Sequence, residues 1–289
     1  MITRIAVLLF SFSAFAQDVP RGEALLARRY REGETLTYRM KGVNENWRYE
    51  LQASGVVKKG ESGKFTEEYA WSKLISDGKA FPLSAASQQF RQVLSLGPEK
   101  PPSMPNLAEV QPILIGPITD LMTFYVDLWL ANRTGKLTHA GDHAYQKLGM
   151  PASWADGNYV VLGEDSIDFD MTLTNVDRSN QVATLLVRHV PPEEPAVHLP
   201  AAWMREPVAD TKNNWVNVTK RDGKFVAAVG KETFDVQVKV SLVDGKILSG
   251  TMENPVKSRE RDCEDAAYTK CGDPRPHEIL RHIEIELEH

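Results

Sequence analysis

The chain has 289 residues, 42% of them hydrophobic and 25% charged, with a formal net charge of −5 and only 2 cysteines. Apolar content near the globular average excludes a disordered or collagen-like chain, and two cysteines exclude a disulfide-dense miniprotein. The acidic balance leaves no basic field to neutralise phosphates, so no nucleic-acid partner is expected.

The first element is an address. Arg4 gives a short positive region, and Ile5-Ala-Val-Leu-Leu-Phe10 opens an apolar core that continues through Phe12 and Phe15. Ala14-Phe15-Ala16 then places small residues at −3 and −1 of a cleavage point, the pattern read by signal peptidase. Residues 1–16 therefore read as a signal peptide, and the protein as periplasmic or extracellular. The apolar core is shorter than the ~20 residues a membrane span needs. Gln17 stands where a lipoprotein would carry its lipidated Cys. The mature chain, 17–289, reads as a single β-rich domain with no transmembrane segment.

Period-2 alternation then dominates. Strands are predicted at 34–43, 47–58 and 64–75, within an N-terminal β block spanning 34–96. The connector 97–117 holds six prolines and reads as an extended surface loop. From Ile118 to Ala131 the chain is almost continuously apolar, which predicts a buried helix about 21 Å long. Gly116-Pro117 suits its start and Gly135 follows its end. Asp120 and Asp127 lie seven apart, on one stripe that is expected to face solvent. A sheet must cover every other face.

A second β block follows, at 142–287. Ser166–Thr174 places Ile167, Phe169, Met171 and Leu173 on one face, and Thr233–Leu242 does the same with Phe234, Val236, Val238, Val240 and Leu242. Further strands are predicted at 181–190, 214–221, 224–230, 246–253 and 279–287, with 191–207 as a second proline-rich loop. A two-residue turn at Asp222-Gly223 keeps Val216 and Val218 on the face of Phe225, Ala227 and Val229. A three-residue loop at Asp244-Gly245-Lys246 aligns Leu242, Val240 and Val238 with Leu248, Gly250 and Met252, with Gly245 in a left-handed position. The polar segment 259–274 carries Cys263 and Cys271, which in an oxidising compartment are expected to form a local disulfide that orders an otherwise floppy loop. The fold class is thus mainly β: curved antiparallel sheet, half-barrel or sandwich-like, around one buried apolar helix.

Chemistry-bearing motifs are sparse. His139-Ala-Gly-Asp-His143 offers a metal set of His139, Asp142 and His143, although Gly141-Asp142 signals a turn and no glutamate base accompanies it. Asp168 and Asp170 form an acidic ladder on a strand, without the loop spacing of a calcium site. Ser76-Asp-Gly-Lys79 matches S-x-x-K only as text, because it falls on a hairpin turn. The chain contains no G-x-S-x-G, P-loop or G-x-G-x-x-G, so neither a nucleophile elbow nor a nucleotide cofactor is supported. The sequence therefore reads as a non-catalytic envelope binding or scaffold protein, its partner a lipid, another apolar ligand or an envelope protein. The helix either fills the core or leaves a cleft lined by Met122, Phe124 and Trp129. The alternative is a secreted hydrolase whose site is assembled from distant residues.

Overall fold

The computed structural model describes residues 24–97, 101–103, 105–149, 154–156, 159–161, 166–191, 193–194, 199–221 and 223–288; the proposed signal segment 1–16 lies outside them. The chain runs β1 (Thr35–Asn44), β2 (Trp47–Lys59), β3 (Phe65–Ser76), β4 (Lys79–Ala80), α1 (Ala85–Gln89), β5 (Gln92–Leu94), α2 (Pro112–Thr134), β6 (His143–Gly149) and β7 (Trp154–Asp156). It continues through β8 (Tyr159–Val161), β9 (Ser166–Asp177), β10 (Val182–Val190), a 3₁₀ turn (Ala202–Arg205), β11 (Trp215–Arg221), β12 (Lys224–Glu232), β13 (Phe234–Ser241), β14 (Ile247–Cys263) and β15 (Arg275–Leu287). The predicted strands all form, and the strands join into one open antiparallel sheet with α2 buried against it.

The sheet is organised around β14. Its first half opposes β13 and its second half opposes β12 in one register, Val236 facing Met252 and Phe225 facing Cys263, with a single shift between Lys239 and Val240. The pairs β6–β9 and β7–β8 likewise share a register, His143 facing Thr172 and Trp154 facing Val161. Between these two sets of strands, β10 and β11 lie end to end: β10 pairs β13 and β9, and β11 pairs β12 and β8. The line breaks between Val190 and Trp215, and none of the described residues between them is strand. The Asn214 side chain bridges the gap, its Nδ2 donating to the Glu232 carbonyl (3.0 Å) and its Oδ1 accepting from the Glu232 amide (2.8 Å). A side-chain amide thus stands in for a missing peptide group, which keeps the ladder satisfied.

The constant register carries alternate residues to opposite faces. Val236, Val238 and Val240 join the core under α2, whereas Ala227 and Val229 join a smaller cluster with Val216, Val218, Ala201 and Met204. The two-residue turn expected after Arg221 is therefore in register, Val216 opposing Val229, although Asp222 itself lies outside the described residues. The proline-rich 191–207 segment is more than a loop, because its 3₁₀ turn lids the smaller cluster. Trp203 lies under the Arg261 guanidinium at 4.9 Å and donates its indole N–H to the Tyr268 carbonyl.

Four expectations are corrected. The helix starts at Pro112 rather than Ile118 and ends at Thr134; Pro112 takes the first helical position, where its missing N–H costs nothing, and Pro117 is absorbed one turn later. Its length and composition would suffice for a membrane span, but 72% of its most apolar window is buried within the protein. Asp120 and Asp127 face inward, both fully buried. The β13–β14 loop is longer than three residues, with Val238 opposing Gly250 and Val240 opposing Ile247. Its reach is used to hold the N-terminal segment: Arg29 donates its amide to the Asp244 carbonyl, and a Cβ on Gly245 (φ +70°) would sit 2.2 Å from the Ala27 carbonyl oxygen. Finally, the polar stretch before Cys263 is strand. β14 and β15 continue as one hairpin out to Arg259–Pro276 and Glu260–Arg275, because cross-strand pairs such as Arg275 with Glu260 and Asp262 replace apolar periodicity.

That hairpin ends in the Cys263–Cys271 disulfide. Within the loop it closes, the Tyr268 ring packs edge-on against Phe225. Replacing both cysteines by serine is expected to cost about 2–3 kcal/mol through the unfolded chain. Urea denaturation checks this, and a loss under about 0.5 kcal/mol would show that the hairpin pairs alone order the tip.

Candidate functional site

A concentration of buried ionisable groups lies on the helix side of the break in the sheet. α2 contributes Asp120 and Asp127, seven residues and hence nearly two turns apart. β15 brings Arg281, which alternates with Ile283 and Ile285 on the inward face, and β10 brings His189, which alternates with Leu185 and Val187. Arg281 Nη2 donates to Asp120 Oδ1 at 2.5 Å, and the Tyr49 hydroxyl donates to the other oxygen at 3.0 Å. Arg281 Nη1 also reaches Asn254 Oδ1 (2.9 Å), and Asn254 Nδ2 donates to Glu232 Oε1 (3.2 Å). His189 Nε2 lies 2.7 Å from Asp127 Oδ1, its ring held between Phe169 and Phe234 at 4.6 and 4.9 Å.

Three carboxyl groups thus share one guanidinium and one imidazole. Burial pushes the Asp120 carboxyl up despite Arg281, burial likewise raises Asp127 despite His189, and burial raises Glu232 despite the fields of Arg281 and His189. One Asp127 oxygen and Arg281 Nε are buried without a hydrogen-bond partner among the described residues, which adds to the cost of keeping the cluster ionised. An imidazole oriented by a buried carboxylate has the arrangement of a general base. Among the described residues no hydroxyl or thiol is bonded to His189, so the chemistry that the geometry shows is electrostatic fastening of α2 to the sheet.

A pH response follows. An acid whose folded pKa is raised binds protons more readily folded than unfolded, so stability rises as pH falls through the folded value. As pH falls from neutrality, protonation of Asp120, Asp127 and Glu232 is therefore expected to add stability. At lower pH the gain reverses as Glu34 and Asp244 take up protons and give up their ion pairs: burial pushes both up, but Lys246 and Arg28 at Glu34, and Lys246 with the Ser241 hydroxyl at Asp244, outweigh it and hold both below the ordinary range. Urea midpoints measured across pH 4–8 should therefore peak on the acid side of neutrality, and Asp127→Asn should flatten that rise. A midpoint that climbs steadily to pH 8 would contradict the assignment.

The residues singled out from sequence lie elsewhere. Asp142 accepts the amides of Thr138 and His139 and closes a turn, His139 is exposed, and His143 Nε2 pairs with Asp170 Oδ1 at 2.5 Å. These are separate contacts, and among the described residues no group of three His, Cys, Asp or Glu gathers in metal-ligand geometry. In the acidic ladder, Asp168 is buried and accepts from the Tyr145 hydroxyl, which that bond pushes up to about 12. Phe124 is fully buried, Trp129 donates its indole N–H to the Gly97 carbonyl, and Met122 packs at the margin of the core. A comparison with protein-family models and with curated proteins finds no match.

On the sheet face turned away from α2 lies an open depression of about 400 Å3, bordered by Lys41, Val43, Arg48, Glu50, Ile75 and His282. His282 is held between Glu253 (2.5 Å) and Glu284 (3.2 Å). Burial works against its charge, but the two carboxylates outweigh burial and raise its pKa.

Proposed function

We propose that this is an exported, non-catalytic envelope protein that binds or scaffolds through the outer surface of its sheet. The observation that carries the reading is the filled concavity: Leu121, Phe124 and Leu128 have no exposure, so the side of the sheet that could enclose an apolar ligand is occupied by α2. The outward depression and the paired charges around it provide the surface for recognition. The signal-like segment 1–16 and the Cys263–Cys271 disulfide support an oxidising compartment. The test is native mass spectrometry of the mature protein with cross-linking in its host envelope. Specific cross-links to an envelope component without a bound acyl chain are expected. A stoichiometric lipid that survives purification would overturn the filled-core reading, and recovery of monomer alone would count against scaffolding.

The second reading, a secreted hydrolase, draws on the His189–Asp127 pair rather than on His139, Asp142 and His143. Ester or amide turnover abolished by His189→Asn, with folding intact, would establish it.

A further inference from the structure

The depression on the outer face has a chemistry of its own. Its floor is a checkerboard set by register: Lys41 lies between Glu50 and Glu284, and Val43 between Arg48 and His282. Ile75, about one-third exposed, stands beside Glu50 and forms one wall. His282 and Glu284 satisfy one another. By contrast, the side chains of Lys41, Arg48 and Glu50 take no hydrogen bond or ion pair from the described residues, although Glu50 lies in the field of Arg39; Arg48 meets Asp77 only through its backbone, its N–H donating to the carboxylate and its carbonyl accepting the Asp77 N–H. Two cations and one carboxylate are left with their hydrogen-bonding capacity turned toward the same hollow, next to two aliphatic side chains.

We propose that this depression binds a small zwitterion with an apolar part, of the kind represented by an α-amino acid with an aliphatic side chain. The ligand ammonium meets Glu50, its carboxylate meets Arg48 and Lys41, and its side chain covers Val43 and Ile75. Charge-assisted hydrogen bonds at both ends supply the orientation, and the aliphatic contact adds area removed from water. A simple anion would leave Glu50 facing it, and a simple cation would leave Arg48 and Lys41 unmet, so the balance selects a molecule carrying both signs. The inference rests on the outer face being the binding surface, and it deepens that reading by naming the ligand class.

Isothermal titration of the mature protein tests it with four probes: leucine, N-acetyl-leucine, leucinamide and glycerophosphoethanolamine. Leucine is expected to bind saturably, with the two blocked forms weaker by about tenfold or more. Arg48→Gln and Glu50→Gln should each weaken leucine by a similar factor without moving the thermal midpoint. Tighter binding of glycerophosphoethanolamine, equally sensitive to both variants, supports the zwitterion and assigns its source to a lipid head group. Absence of saturable binding up to about 10 mM, or binding indifferent to both variants, overturns the proposal. Envelope cross-links that persist after such a failure would leave the scaffold reading standing, so the two fail separately.

Discussion

Replacing Arg281 by leucine is expected to destabilise the fold by about 3–5 kcal/mol, the cost of leaving a buried carboxylate without its cation. Asp120 is enclosed by α2 and the sheet, and of its two hydrogen-bond donors only Arg281 carries charge. The Tyr49 hydroxyl can orient the carboxylate but cannot neutralise it. The same substitution takes a donor from Asn254 and removes the cation nearest Glu232. Arg281→Lys should fall between, because an ammonium restores charge without the planar fork that reaches both Asp120 and Asn254. The decisive comparison is the double variant Asp120→Asn with Arg281→Leu. If the loss comes from a stranded charge, removing that charge recovers part of it, and the coupling in a double-mutant cycle should exceed about 1.5 kcal/mol. Urea denaturation of the four proteins measures it. Strict additivity would mean that Arg281 acts through packing of its stem and that Asp120 does not depend on it.

This cluster also shows how far the sequence could be read. The sheet was legible because alternation is a local signal: Val236, Val238 and Val240 declare their face without reference to any other segment. The burial of Asp120 and Asp127 was not, because a helix stripe carrying two acids reads equally as a wet face or as a face whose counter-charges come from elsewhere. The missing half was present in the strands. Arg281 stands in phase with Ile283 and Ile285, His189 with Leu185 and Val187, and Asn254 with Met252 and Val256. A polar residue on the apolar phase of a strand requires a buried partner, and two inward acids on the one buried helix are the natural partners. What alternation could not supply is the arrangement of lines in the sheet. That β12 and β13 share one register on β14, with a break opposite Glu232 bridged by Asn214, depends on pairings remote in sequence. The β14–β15 hairpin was hidden for a related reason, since ion pairs rather than apolar residues mark its outer half.

The second large effect is expected where α2 meets the sheet. Phe124 is fully buried, and its ring lies so close to Gly250 that a Cβ there would stand 2.7 Å from Cε1 and 2.9 Å from Cδ1. β14 therefore needs glycine at this point to admit the ring, although glycine weakens a strand interior. Phe124→Ala removes the ring and leaves a cavity, for an expected loss of about 3–5 kcal/mol. In a chain of this size that corresponds to a fall in Tm of roughly 6–20 °C. Gly250→Ala fills the same space from the other side and should cost about 1–3 kcal/mol by overpacking. Because the two residues compete for one volume, Gly250→Ala combined with Phe124→Leu should cost less than the sum of the single changes. A dry apolar cavity accepts a small apolar molecule, so benzene is expected to raise the Tm of Phe124→Ala and to leave that of the unaltered protein unchanged. Stabilisation of the unaltered protein by benzene, abolished by filling the site with Gly250→Ala, would mean that the space beside α2 is open, and the reading of the fold as a closed core with an outward binding face would give way to one with an apolar cleft.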